Sequence, residues 1–153
     1  MKKGSLKPTQ ILLVEDSSGD VRLIVEALKE SRIPNNLYLA SDGVEAMDFL
    51  RRKGKHLDAP RPDLVLLDLN LPKKNGIEVL TEIKNDADLK RIPVLILTLS
   101  RAEEDILKSY NMHANCYIMK PMDYEQFARV VKTIEDFWFT VAVLPSDYSR
   151  RRF

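Results

Sequence analysis

Three runs of uninterrupted apolar residues punctuate the chain: Ile11-Leu12-Leu13-Val14, Leu64-Val65-Leu66-Leu67 and Val94-Leu95-Ile96-Leu97. Runs without polar alternation suit strands covered on both faces, as in a parallel sheet. Leu37-Tyr38-Leu39-Ala40 and Cys116-Tyr117-Ile118-Met119 supply a fourth and fifth strand. Between the runs the period changes. Val21, Ile24, Val25 and Leu28 fall on one helical face, as do Val44, Met47 and Leu50, and then Ile77, Leu80 and Ile83. A last helix carries Phe127, Val130, Val131, Ile134, Trp138 and Val141. Pairs three residues apart mark the helix starts: Ser17 and Asp20, Asp42 and Glu45, Asn75 and Glu78, Ser100 and Glu103, Asp123 and Gln126. The first member caps an unpaired backbone N–H, and the second can reach back. Strand and helix thus alternate, and right-handed crossovers predict an α/β fold with a doubly wound, five-stranded parallel sheet and five helices. Sheets of this kind often run 2-1-3-4-5, which sets a site at the carboxyl ends of the first and third strands.

The length of 153 residues suits one domain, expected over residues 9–144 and including an extended last helix. Residues 1–8 read as a disordered N-terminal segment and 145–153 as a frayed tail. The net charge of +1 conceals an acidic body, because removing the terminal Lys2, Lys3, Lys7, Arg150, Arg151 and Arg152 leaves −5. That sign argues against nucleic acid as a partner. One cysteine, Cys116, excludes an internal disulfide and a cysteine-based zinc cluster and suggests a reducing compartment. No apolar run approaches the roughly 18 residues needed to span a bilayer. The basic start lacks a signal-peptide core, so a cytoplasmic location without membrane contact is expected.

The chemistry lies at the strand ends. Glu15 and Asp16 follow the first strand and Asp68 ends the third, so adjacency of those strands would gather three carboxylates at one sheet edge. Like charges so placed repel and recruit a cation. Oxygen ligands without His or Cys favour Mg²⁺ over zinc. Thr98 ends the fourth strand and Lys120 the fifth, offering a hydroxyl and an ammonium to a phosphate oxygen. The chemistry that uses this set is phosphoryl transfer to a carboxylate, with Asp68 as nucleophile and Glu15 and Asp16 as metal ligands. An aspartyl-phosphate hydrolase would carry an acid two residues after the nucleophile, and here that residue is Asn70. A nucleotide-binding fold would need a glycine-rich phosphate loop, and none is present. A docking module that works without phosphate is the remaining alternative.

The pieces Val14-Glu15-Asp16, Leu66-Leu67-Asp68-Leu69-Asn70-Leu71-Pro72 with Gly76, Leu97-Thr98 and Tyr117-Ile118-Met119-Lys120-Pro121 stand in order across roughly residues 9–140. The chain resembles the response-regulator receiver domains of two-component signalling, which have a flavodoxin-like fold. The resemblance implies a phosphoryl group accepted on Asp68 from a sensor histidine kinase, with no catalysis beyond the protein's own phosphorylation and dephosphorylation. It implies Mg²⁺ held by Glu15, Asp16, Asp68 and the backbone carbonyl of Asn70, a cis bond before Pro121, and Thr98 and Tyr117 moving together as a switch. Glu15 to Leu23, the insertion ending Ala59-Pro60-Arg61-Pro62-Asp63, Leu71 to Gly76, Asn115-Cys116-Tyr117 and Phe137-Trp138 through Leu144-Pro145 narrow it further. They resemble the small stand-alone response regulators of cyanobacterial-type phytochromes, which implies a phytochrome as the kinase and a phosphotransfer or effector protein downstream. Two departures are His113, where many receivers have Gly, and Leu99, where most carry a small residue. A bulky Leu99 would shield the phosphoryl group from water.

His56 and His113 lack an acid or cysteine at metal spacing and read as surface residues. Cys116 reads as a small buried hydrophobe. Lys73, Lys74 and Lys84 suit either a solvated face or a kinase contact. Phe137, Trp138 and Phe139 are consecutive and must point in several directions, since helical neighbours lie about 100° apart. Exposed aromatic surface of that kind marks an interface. A homodimer through Phe137, Trp138 and Val141 is therefore expected.

Overall fold

The computed structural model describes residues 7–32, 34–98, 102, 116–119 and 123–138, with positions 98, 116, 117, 134 and 136–138 described by their backbone alone. Five parallel strands form one sheet: β1 (Thr9–Val14), β2 (Asn35–Ala40), β3 (Leu64–Asp68), β4 (Val94–Thr98) and β5 (Cys116–Met119), in the order β2-β1-β3-β4-β5. The helices are α1 (Ser18–Lys29), α2 (Gly43–Arg51), α3 (Gly76–Lys84) and α4 (Tyr124–Trp138). The sheet order is the expected one. The helix expected from Ser100 lies outside the described residues, apart from a helical Ala102. The segments 1–6 and 139–153 also lie outside them.

The apolar runs form strands because both of their faces are covered. Leu12, Val14, Val65, Leu67, Val94 and Ile96 pack toward α2 and α3 with Ala46, Phe49, Val79, Leu80 and Ile83. Residues of the other parity, Ile11, Leu13, Leu64, Leu66, Leu95 and Leu97, pack toward α1 and α4 with Ile24, Leu28, Phe127 and Val131. Each such Leu or Ile contributes about 1.5–3 kcal/mol of gross burial energy, set against the ordering of the chain.

The start signals act as caps. Ser17 accepts from the Asp20 N–H at 3.3 Å, and Asp42 accepts from Glu45 at 2.8 Å. Asn75 and Glu78 exchange two bonds of 2.9 Å, and Asp123 and Gln126 do the same at 3.0 and 2.8 Å. One expectation changes. Val44, expected on the buried stripe of α2, is 43 % exposed, because Gly43 and Ala46 take the inner side of the first turn. The stretch after α2 contains a 3₁₀ turn at Gly54–His56. It is formed because Arg52 ends α2 in the left-handed region (φ 56°) and turns the chain back along the helix.

Candidate metal and phosphoryl site

Parallel register brings the strand ends level. Val14 is paired with Leu67 and Asp68 with Leu97, so one further step sets Glu15 beside Asp68. The Glu15 N–H donates to the Ala40 carbonyl at 3.0 Å, which keeps the backbone straight past the end of β1. Glu15 and Asp68 are buried, 1 % and 2 % exposed, whereas Asp16 is exposed. One carboxylate oxygen from each of Glu15, Asp16 and Asp68 lies within 4.8 Å of the other two. Octahedral ligands at 2.1 Å from a Mg²⁺ ion stand about 3.0 Å apart when adjacent and about 4.2 Å apart when opposite. A spacing within 4.8 Å exceeds that upper value by at most about 0.6 Å, so small side-chain shifts would let the three acids hold a divalent cation, and an oxygen-only donor set suits a hard one.

The loop after β3 holds the fourth expected ligand. The Asn70 N–H donates to Asp68 Oδ1 at 3.2 Å. Pro72 and a left-handed Lys73 (φ 68°) then turn the chain into α3. Lys73 Nζ lies 3.5 Å from Asp42 Oδ2, and Lys74 Nζ donates to Glu82 Oε2. Glu82 also pairs with Arg51 at 3.1 Å. The Lys74 and Arg51 cations beside Glu82 hold its carboxyl below the usual range, with the Lys74 hydrogen bond the largest cause. Lys84 is not on a solvated face. It is half-buried, donates to the Lys90 and Ile92 carbonyls at 3.2 Å each, and burial lowers its pKa. Lys74 and Lys84 thus act as partly buried braces, whereas Lys73 keeps an exposed side chain beside Asp42.

His56 is also not a plain surface residue. Its side chain is 17 % exposed, with Nε2 3.4 Å from Glu45 Oε2, and its ring packs edge-on against Phe49 at 5.3 Å. Glu45 was not among its sequence neighbours because the fold of the 3₁₀ turn brings the two together. Glu45 Oε1 accepts from the Ser41 N–H at 3.1 Å, the main cause of its lowered pKa, with Lys55 and His56 adding to it.

Of the other sequence-predicted residues, Thr98 ends β4 opposite Met119, and Tyr117 lies opposite Ile96. Lys120, Pro121, Leu99, His113 and Val141 lie outside the described residues, as do the side chains of Thr98, Cys116, Tyr117, Phe137 and Trp138. Sequence reading missed Glu135, a buried carboxylate on α4 that accepts from the Arg32 N–H at 3.0 Å. Its place in the otherwise polar stripe of α4 held no signal. It also missed Gly43, although the Asp-Gly pair opening α2 is a turn signal.

Comparison with known proteins agrees with this geometry. The sequence profile described as the response regulator receiver domain matches residues 11–132. Response regulator Rcp1 of Synechocystis sp. is 49 % identical over 146 residues, covering 95 % of this chain and 99 % of that protein. The crystal structure of the phosphorylated cyanobacterial phytochrome response regulator RcpA superposes with a TM-score of 0.82 at 52 % identity, covering 91 % of this chain and 99 % of that one. The Mn²⁺-bound form of response regulator Rcp1 gives 0.80 at 51 %, covering 90 % and 99 %.

Proposed function

The chain belongs to the response regulator receiver family, whose members signal by phosphorylation, and from that premise we propose that Asp68 accepts a phosphoryl group from a sensor histidine kinase of the phytochrome type. The observation that carries this reading is the meeting of Glu15, Asp16 and Asp68 within 4.8 Å at the carboxyl ends of β1 and β3. An Asp68 carboxylate oxygen attacks the phosphorus of a phosphohistidine. The P–N bond breaks, its electron pair stays with the imidazole, and the product is an acyl phosphate on Asp68. Glu15, Asp16, Asp68 and the Asn70 backbone carbonyl would hold Mg²⁺, which when bound neutralises charge gathering on the phosphoryl oxygens. By the family pattern, the Thr98 hydroxyl and the Lys120 ammonium meet the same oxygens, Tyr117 follows Thr98, and the Lys120-Pro121 bond sets the direction of Lys120. Water attack on the acyl phosphate restores Asp68, so the only reactions catalysed are the protein's own phosphorylation and dephosphorylation.

The phytochrome assignment is supported by the likeness to RcpA. About two added negative charges would bias the surface around Thr98 and β5, and the switch would act on a downstream phosphotransfer or effector protein. A homodimer through Phe137, Trp138 and Val141 completes the reading, in the cytoplasm and without nucleic acid or membrane as partner. Among the described residues no helix is long and apolar enough to cross a membrane. The test is incubation with acetyl phosphate and Mg²⁺ followed by intact mass. One phosphate should be added to the wild type and none to Asp68→Asn. Equal labelling of the variant would end the assignment.

A further inference from the structure

We propose that Gly43, the first residue of α2, is a positioning residue for the cation site, because its missing side chain lets α2 seat the loop that carries Asn70. The inference rests on the proposed role of that loop. A Cβ on Gly43 would stand 1.8 Å from the Lys74 carbonyl oxygen, 2.7 Å from its carbon and 2.8 Å from Lys74 Cβ. Side-chain carbons do not approach backbone so closely, so any other residue at 43 would drive the Lys74 carbonyl back by about an ångström or more. Glycine near a helix start sacrifices up to about 1 kcal/mol of propensity against alanine. Here the lack of space accounts for it.

The loop cannot absorb that displacement at its far end. Gly76 is also tight: a Cβ there would be 2.4 Å from the Asp68 carbonyl oxygen and 2.5 Å from Leu69 Cα. The Gly76 N–H donates to the Leu69 carbonyl at 3.0 Å, and the Asn75–Glu78 capping box closes the start of α3. Lys74 is further tied to Glu82, which Arg51 at the other end of α2 also holds. With α3 fixed, motion at Lys74 passes back through Lys73 and Pro72 to Asn70, whose N–H is bonded to Asp68 Oδ1. The backbone carbonyl of Asn70 is a ligand with no rotamer of its own, so its position is set by the loop alone.

Two ties join α2 to this loop, and their magnitudes differ. The Lys73–Asp42 pair spans 3.5 Å with the lysine side chain 68 % exposed, which makes it weak. The steric contact at Gly43 is backbone against backbone and does not fade with salt. Gly43 should therefore dominate the seating of the loop, and Lys73 should add little.

The test measures Mn²⁺ affinity by the electron paramagnetic resonance of free Mn²⁺, together with acetyl phosphate labelling as a function of Mg²⁺. Gly43→Ala should weaken Mn²⁺ binding at least five-fold and raise the Mg²⁺ concentration for half-maximal labelling by a similar factor. The labelling rate at saturating Mg²⁺ should stay near the wild-type value. Lys73→Met should leave Mn²⁺ affinity within two-fold. A Gly43→Ala protein with lowered thermal stability but wild-type Mn²⁺ affinity would make Gly43 a packing residue only and overturn the proposal. If Gly43→Ala cannot be purified folded in ordinary buffer, it and the wild type are compared in a stabilising osmolyte such as trimethylamine N-oxide, and equal affinities overturn it too. A wild type that binds no Mn²⁺ would instead defeat the functional reading on which the proposal rests.

Discussion

Replacing Asp68 by Asn should stabilise the metal-free protein while abolishing its response to divalent cations. The substitution keeps the shape of the side chain and an oxygen that can accept from the Asn70 N–H at 3.2 Å. What it removes is one negative charge from a group of three. Two unit charges 4.8 Å apart repel by about 3.5 kcal/mol at an effective dielectric of 20. Asp68 faces two such partners, Glu15 buried and Asp16 exposed. Screening at Asp16 and the hydrogen bond that Asp68 accepts from the Asn70 N–H reduce the sum, so a net gain of about 1–3 kcal/mol is expected in EDTA. The assay is urea unfolding followed by far-UV circular dichroism, with and without Mg²⁺. With an m-value of about 2 kcal/mol per molar, a gain of 2 kcal/mol moves the midpoint up by about 1 M. Mg²⁺ at ten times its Kd should stabilise the wild type by about 1.4 kcal/mol and leave the variant unmoved. A variant less stable than wild type in EDTA would mean that the carboxylate is held by more attraction than repulsion. The cation-recruiting argument would then fail.

Asp42→Ala removes the cap of α2 and should cost about 1 kcal/mol in the same assay at pH 7. Asp42 has its pKa lowered chiefly by the bond from the Glu45 N–H, so its contribution is present above the unfolded value of 3.8 and is lost as pH falls through the lower folded value; the variant's stability should fall less steeply than wild type below pH 5. Glu135→Ala strands the part-buried Arg32 N–H and should cost about 1–3 kcal/mol, whereas Glu135→Gln keeps an acceptor and should cost less than half as much by thermal unfolding. Trp138→Glu should shift sedimentation from dimer to monomer, and unchanged monomeric behaviour of both proteins would place no interface there. Leu99→Ala should shorten the lifetime of the phosphorylated state, followed as loss of the added phosphate by intact mass, and an equal or longer lifetime would refute the shielding role.

Much of the architecture was open to reading because it depends on local regularities. An apolar run with no polar alternation can only be satisfied by cover on both faces, which makes Leu64 to Leu67 an interior strand on sequence grounds alone. Asp42, Asn75 and Asp123 announced helix starts because capping joins residues three apart, a separation independent of the rest of the fold. The acids Glu15, Asp16 and Asp68 were legible as a group only through the topology those regularities implied.

Relations between residues distant along the chain had no such signature. His56 meets Glu45 because Arg52 adopts a left-handed turn that folds the 3₁₀ segment back on α2. Lys84 is half-buried because the turn before β4 closes over it and offers two carbonyls. Glu135 reaches across to the end of α1, 103 residues away in sequence. The fit of Gly43 against the Lys74 carbonyl belongs to the same class. Hydrophobic period and capping act over one or two turns and are written in consecutive residues, while close packing and pairing across the molecule are properties of surfaces that exist only once the sheet and its helices have come together.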